Sequence, residues 1–161
     1  MNSIVIIGII ITALIVGPIW WLIHTQGAGK RKLEKELAAL GQKEEIEISE
    51  HQSWSNKVIG LDREHEKAAF LIQGNPQNKI ILADLKKYTG CSVEKKLLEN
   101  GSKENAILFS SIALCFTPRE KSAPALVFPL YTDEEDMTFN NELHIAEEWS
   151  GKFNVIIRRN I

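Results

Sequence analysis

Four histidines, two cysteines, a serine pair and one acidic run are the residues whose types could do chemistry in this chain. His24, His51, His65 and His144 are far apart in sequence, and no two have the spacing of metal ligands. Zinc sites draw converging nitrogen, sulfur or carboxylate ligands that usually include one short-range pair. His144 with Glu147 and Glu148 forms a helical neighbourhood that could take a metal, although charged helix surfaces of this kind are ordinarily only solvated. Asp133 to Asp136 could attract a divalent cation. Calcium loops alternate their ligands and place a glycine at the tight turn, and this run does neither, so a solvated acidic loop is expected. Ser110 and Ser111 lie in an apolar run without a glycine-framed nucleophile elbow, and Cys91 has no histidine near it in sequence. The ten glycines are scattered among turns and make no phosphate-cradling loop. No catalytic residue, metal ligand or cofactor site is assigned, and no cofactor is expected. Cys91 and Cys115 read as core thiols, because free cysteine is among the most buried residue types.

The elements that would position any site begin with an apolar segment. From Ile4 to Ile23 there are 20 consecutive residues without a charge, which as a helix would span about 30 Å, the hydrocarbon thickness of a bilayer. The segment therefore reads as an uncleaved, single-pass transmembrane anchor. Trp20 and Trp21 would sit at the headgroup level. A cleaved signal peptide is the rival, with Gly27-Ala28-Gly29 as small residues, but Met1-Asn2-Ser3 lacks the basic start such peptides carry. Lys30, Arg31, Lys32 and Lys35 follow the span, so the positive-inside rule places the C-terminal part on the cytoplasmic face of the inner (plasma) membrane. These four with the two tryptophans are the expected membrane-interface residues.

Residues 24–44 then form a basic juxtamembrane linker with a short helix, in which Leu33, Leu37 and Leu40 share a stripe and Gly41 stops the run. Residues 45–161 suit one domain, since roughly 100 to 150 residues is a common domain size. The formal net charge of the 161-residue chain is -2, from 19 basic and 21 acidic side chains. That balance provides no basic field to hold nucleic acid through its phosphates.

Short apolar segments separated by polar turns predict an antiparallel sheet over most of this domain. The expected strands are Glu45 to Ser49, Lys57 to Asp62, Lys67 to Gln73, Lys79 to Ala83, Tyr88 to Lys95, Ala106 to Phe116 and Ala125 to Tyr131. Pro129 points to an edge or bulged position for the last of them. Asn140 or Asn141 can cap a closing helix to about Arg158, with Leu143, Ala146, Trp149, Phe153 and Ile156 on one face. Trp54 precedes the first confident strand and is expected to pack in the core, with a partner-binding surface as its rival role. Lys86-Lys87 and Lys95-Lys96 bracket one strand as a weak basic edge.

Four strands, a second group of about three and a closing helix that carries Trp149 resemble the pleckstrin-homology-like fold over about Glu45 to Ile161. The segment from Trp54 through Asp62, with Phe128-Pro129-Leu130-Tyr131, also looks like small uncharacterised bacterial single-pass proteins with such domains. The resemblance implies an α+β fold in which a bent antiparallel sheet forms a partly open barrel of about seven strands, plugged by the C-terminal helix. Phosphoinositide binding in such domains uses basic residues on the first strands and their loop. Here Asp62, Glu64 and Glu66 would repel a phosphorylated headgroup.

The function expected from these features is a membrane-tethered, non-enzymatic adaptor or scaffold domain. Its partners would be the bilayer, through the N-terminal helix, and another membrane protein. A small-ligand or lipid-sensing domain is the alternative, recognisable by an apolar pocket with a few convergent polar groups. An enzyme built from dispersed residues would show a buried polar cluster with perturbed ionisation. The sequence assigns no oligomeric state.

Overall fold

The computed structural model describes residues 31–41, 46–74, 76–98, 109–136, 139 and 141–160. Helix α1 (31–41) leads into strand β1 (Glu50–Trp54), followed by β2 (Lys57–Asp62), β3 (Lys67–Ile72) and β4 (Lys79–Asp84). A single 3-10 turn at Leu85–Lys87 precedes β5 (Tyr88–Leu97), β6 (Phe109–Pro118), β7 (Leu126–Thr132) and helix α2 (Glu142–Arg159). Both sheets are antiparallel meanders, one of order β1-β2-β3-β4 and the other β5-β6-β7.

Strands β2 and β3 of the first sheet are covered on both faces, which explains why they read as continuous apolar runs rather than alternating ones. The sheet's inner face presents Ile59, Leu61, Ala68, Phe70 and Ala83 to the main core. Its outer face carries Val58, Ala69 and Leu71 against Leu33 and Leu37 of α1. Gly60 lies under that helix, where a Cβ would stand 3.1 Å from Leu37 Cδ2 and 3.2 Å from Ile48 Cδ1. A side chain there would require Leu37 and Ile48 to give by a few tenths of an ångström.

The two sheets and α2 meet through a run of aromatic rings. Trp54 lies 6.1 Å from Phe70, Phe70 stacks on Phe128 at 5.2 Å, and Phe128 meets Phe116 edge-on at 4.9 Å. Phe153 of α2 then approaches Phe116 at 5.4 Å and Trp149 at 5.6 Å. Such pairs add to area burial in fixing how layers pack. Trp54 is accordingly a core residue.

Helix α2 is held to β5 by polar contacts as well. Asn154 Oδ1 accepts from the Cys91 N–H at 2.9 Å, and its Nδ2 donates to the Cys91 carbonyl at 2.7 Å. Its side-chain amide thus substitutes for a neighbouring strand at the open edge of β5. Trp149 Nε1 donates to Gln52 Oε1 at 2.6 Å, and Lys152 bridges Glu148 and Glu50 at 2.8 and 3.2 Å. Asn141 occupies the N-cap position of α2, yet its side chain makes no capping hydrogen bond.

Several expectations are corrected here. The first strand is Glu50–Trp54, not Glu45 to Ser49. Pairing with β2, from Glu50↔Leu61 to Trp54↔Lys57, recruits a segment with little apolar alternation of its own. Among the described residues the fold is two sheets of four and three strands with two helices, not one bent sheet of seven strands, and no described helix is long and apolar enough to cross a membrane. The 3-10 turn redirects the chain between β4 and β5, which belong to different sheets.

The span expected at Ile4 to Ile23, with Trp20, Trp21 and Lys30, lies outside the described residues. Among the described residues no helix is long and apolar enough to cross a membrane. Each described helix has a charged face: Arg31, Lys32, Glu34, Lys35 and Glu36 on α1, and Glu147, Glu148, Lys152, Arg158 and Arg159 on α2. Arg31, Lys32 and Lys35 are exposed. The structure gives no support to a single-pass topology, to a bilayer partner through an N-terminal helix, or to an inner-membrane location with a cytoplasmic domain.

Candidate functional site

The residues first considered for chemistry do not converge. His51 is exposed, with Nε2 4.0 Å from Glu34 Oε1, and His144 is exposed on α2. His65 Nδ1 lies 2.7 Å from Asp62 Oδ2, while His24 is outside the described residues. Asp62 is buried and also accepts from the backbone N–H groups of Glu47, Glu64 and His65. Burial works to raise its pKa, but the N–H donors of His65 and Glu47, together with the His65 ring, outweigh it and hold the carboxyl below its ordinary value. Asp62 is thus the structural anchor of the β2–β3 turn.

In the acidic run, Asp133, Glu134 and Glu135 are exposed, whereas Asp136 pairs with the buried Lys57. Among the described residues no group of three or more histidines, cysteines and carboxylates could hold a metal ion. Cys91 pairs across strands with Phe116, and Cys115 with Ser92, so the two thiols point to opposite faces and both are free. Burial pushes the Cys91 thiol up to about 12, with a smaller upward push from Cys115 and a downward one from the Ser150 hydroxyl. An inert core thiol results. Ser110 Oγ donates to the Lys96 carbonyl, and Lys95 pairs with Glu147 at 3.1 Å.

A different set of residues does converge, at the end of the domain where the 3-10 turn, the β6–β7 connection and the C-terminus of α2 meet. A surface groove of about 420 Å³ is lined there by Lys86, Lys87, Tyr88, Arg119 and Glu120, with Pro118, Ala123 and Pro124. The Arg119 backbone N–H donates to the Lys87 carbonyl at 2.8 Å. Its side chain donates from Nε to the Tyr88 carbonyl at 3.2 Å and from Nη2 to the Asn160 carbonyl at 2.8 Å. Two carbonyl dipoles therefore fix the guanidinium without neutralising it, and no carboxylate among the described residues is within ion-pair distance of it.

The surrounding frame is tied by hydrogen bonds. Asn160 Nδ2 donates to Glu66 Oε2 at 2.8 Å, and the Leu85 N–H donates to the Glu66 carbonyl at 2.9 Å. Lys86 lies 3.8 Å from Glu66 and Lys87 3.8 Å from Asp84, too far for hydrogen bonds, and both ammonium groups are largely exposed. Such contacts leave the lysines free to turn towards a ligand. Glu120 accepts from Ser122 Oγ at 2.9 Å. The Tyr88 ring is seated on Phe116 at 5.4 Å, and burial, then the charge of Asp84, raises its phenol above the ordinary value.

Lys86-Lys87 is visible in the sequence as a basic pair, but Arg119 is not distinguishable there from the other charges of the Pro118 to Pro124 connection. Only the cross-strand pairing of Tyr88 with Pro118 brings it to the groove. No family model, curated protein or solved structure matches the chain. The expected pleckstrin-homology-like identity and the kinship with bacterial single-pass proteins are therefore without support. Element order alone is shared by unrelated folds and carries no family. The membrane-tethered adaptor reading and its membrane-protein partner are without support, since no helix among the described residues is long and apolar enough to cross a membrane.

Proposed function

We propose that this domain is a non-catalytic binding module that takes a small anionic ligand, a carboxylate or phosphate, in the groove beside Arg119. The observation that carries this reading is the Arg119 guanidinium, held in place by the carbonyls of Tyr88 and Asn160 with no ion-pair partner among the described residues. A preorganised arginine binds such groups through paired N–H donors at little cost in side-chain entropy. Lys86 and Lys87 add mobile positive charge, and Tyr88 with the two prolines supplies an apolar wall. Sites of this size with few convergent polar groups are typical of small-ligand recognition.

The test is titration of the full chain with acetate, inorganic phosphate and pyrophosphate, followed by chemical-shift changes. Arg119→Gln should weaken binding about tenfold or more, the effect of losing one charge-assisted hydrogen bond. Lys95→Gln, whose partner is Glu147 on another surface, should change nothing. Equal binding by the wild type and a folded Arg119→Gln variant would remove the basis for this function.

A further inference from the structure

We infer that the ligand is a free α-amino acid with an apolar side chain, its carboxylate on Arg119, its ammonium on Glu120 and its side chain against Tyr88 and the prolines. This rests on the anion-binding reading above and names which anion the groove takes.

Arg119 and Glu120 are consecutive residues of opposite charge that line the same groove, yet they form no ion pair with each other. Each is held by neutral groups instead. The carbonyls of Tyr88 and Asn160 accept from the guanidinium, while the Ser122 hydroxyl donates to Glu120 Oε1 at 2.9 Å. The backbone closes the same turn, the Glu120 carbonyl accepting from the Ala123 N–H at 3.0 Å. Among the described residues no lysine, arginine or histidine lies within ion-pair distance of Glu120. The other charges of the lining, Lys86 and Lys87, already have Glu66 and Asp84 at 3.8 Å. One guanidinium and one carboxylate therefore remain in the groove without a charged partner.

Those two charges and the wall beside them select the occupant. A phosphate would answer Arg119 but be repelled by the Glu120 carboxylate. A plain carboxylate leaves Glu120 without a cation, and a plain amine leaves Arg119 without an anion. Opposite charges on consecutive residues suit a ligand whose own carboxylate and ammonium share one carbon, and both contacts are then charge-assisted hydrogen bonds. The rest of the lining is Tyr88, Pro118, Ala123 and Pro124. It offers ring faces and a methyl group, so the third substituent of the ligand is apolar. A groove of about 420 Å³ lies within the range of about 300 to 1,000 Å³ found for small-molecule sites.

The full chain is titrated with L-phenylalanine, 3-phenylpropionate, phenethylamine, glycine and inorganic phosphate while the signals of Tyr88 and Ala123 are followed. Phenylalanine should bind at least about tenfold more tightly than 3-phenylpropionate or phenethylamine, the effect of one charge-assisted hydrogen bond. Glu120→Gln, which keeps an acceptor for Ser122, should bring phenylalanine down to the level of 3-phenylpropionate without weakening the latter. Arg119→Gln should weaken both. Equal binding of phenylalanine and 3-phenylpropionate, or phenylalanine binding untouched by Glu120→Gln, would overturn the zwitterion and leave the anion site standing. Phosphate binding more tightly than phenylalanine would do the same and assign the site to a phosphate. Glycine binding as tightly as phenylalanine would overturn the apolar side chain. No response to any of the three carboxylates or to phosphate would remove both the inference and the reading beneath it.

Discussion

The attachment of α2 to the edge of β5 can be tested by a double-mutant cycle on Asn154 and Ser150. The Cys91 carbonyl accepts from both, at 2.7 Å from Asn154 Nδ2 and 2.9 Å from Ser150 Oγ, whereas the Cys91 N–H has Asn154 Oδ1 as its side-chain partner. Asn154→Ala leaves that partly buried N–H unsatisfied, at a cost of about 1–3 kcal/mol. Replacing asparagine by alanine within a helix returns about 0.5 kcal/mol, so a net loss of about 1–2 kcal/mol is expected. Ser150→Ala leaves the carbonyl still bonded to Asn154. Its loss of about 1 kcal/mol is largely offset by the better helix propensity of alanine, for a net change of about 0.5 kcal/mol. With both residues replaced, the carbonyl loses its second partner too. The double variant should therefore exceed the sum of the single variants by about 1 kcal/mol. Urea unfolding followed by tryptophan fluorescence measures all four species, provided that their m values agree. Strict additivity, or a loss below about 0.5 kcal/mol for Asn154→Ala, would refute the idea that this side chain completes the strand edge.

Lys57→Met leaves Asp136, 6% exposed, without its cationic partner, and a buried charge orphaned in this way typically costs about 3–5 kcal/mol. Adding Asp136→Asn should recover part of the loss in urea unfolding, and no recovery would mean that the lysine acts through packing alone. Asp62 has its folded-state pKa depressed below 3.8, so the stability it contributes is fully present above that unfolded value and disappears as pH falls through the folded one. Asp62→Asn should thus lower Tm at pH 7, and the difference from wild type should shrink below about pH 4; a difference independent of pH would argue against the carboxylate. With its thiol raised to about 12 and buried, Cys91 should resist iodoacetamide at pH 8 until the chain unfolds. Labelling in the native state as fast as in urea, read by mass spectrometry, would contradict its placement.

The sequence by itself determined the local elements wherever burial left a periodic or continuous mark. Lys57 to Asp62 and Lys67 to Gln73 are legible because both faces of these strands are covered, and α2 is legible because Ala146, Trp149, Phe153 and Ile156 recur at helical spacing. Strand β1 left little such mark. Glu50 to Trp54 is a strand because β2 pairs with it and because Gln52 and Glu50 meet Trp149 and Lys152 of α2. The 3-10 turn that separates the two sheets depends on Asp84 accepting from the Lys86 N–H at 3.2 Å, a weak local signal among many polar residues. The groove was decided by tertiary structure alone. Tyr88 and Arg119 are remote in sequence, and their approach requires β5 to pair with β6, while the Asn160 carbonyl arrives only when α2 docks. Periodicity reports which side of an element is buried; convergence of three elements on one charge is a property of their pairing, and no single segment encodes it.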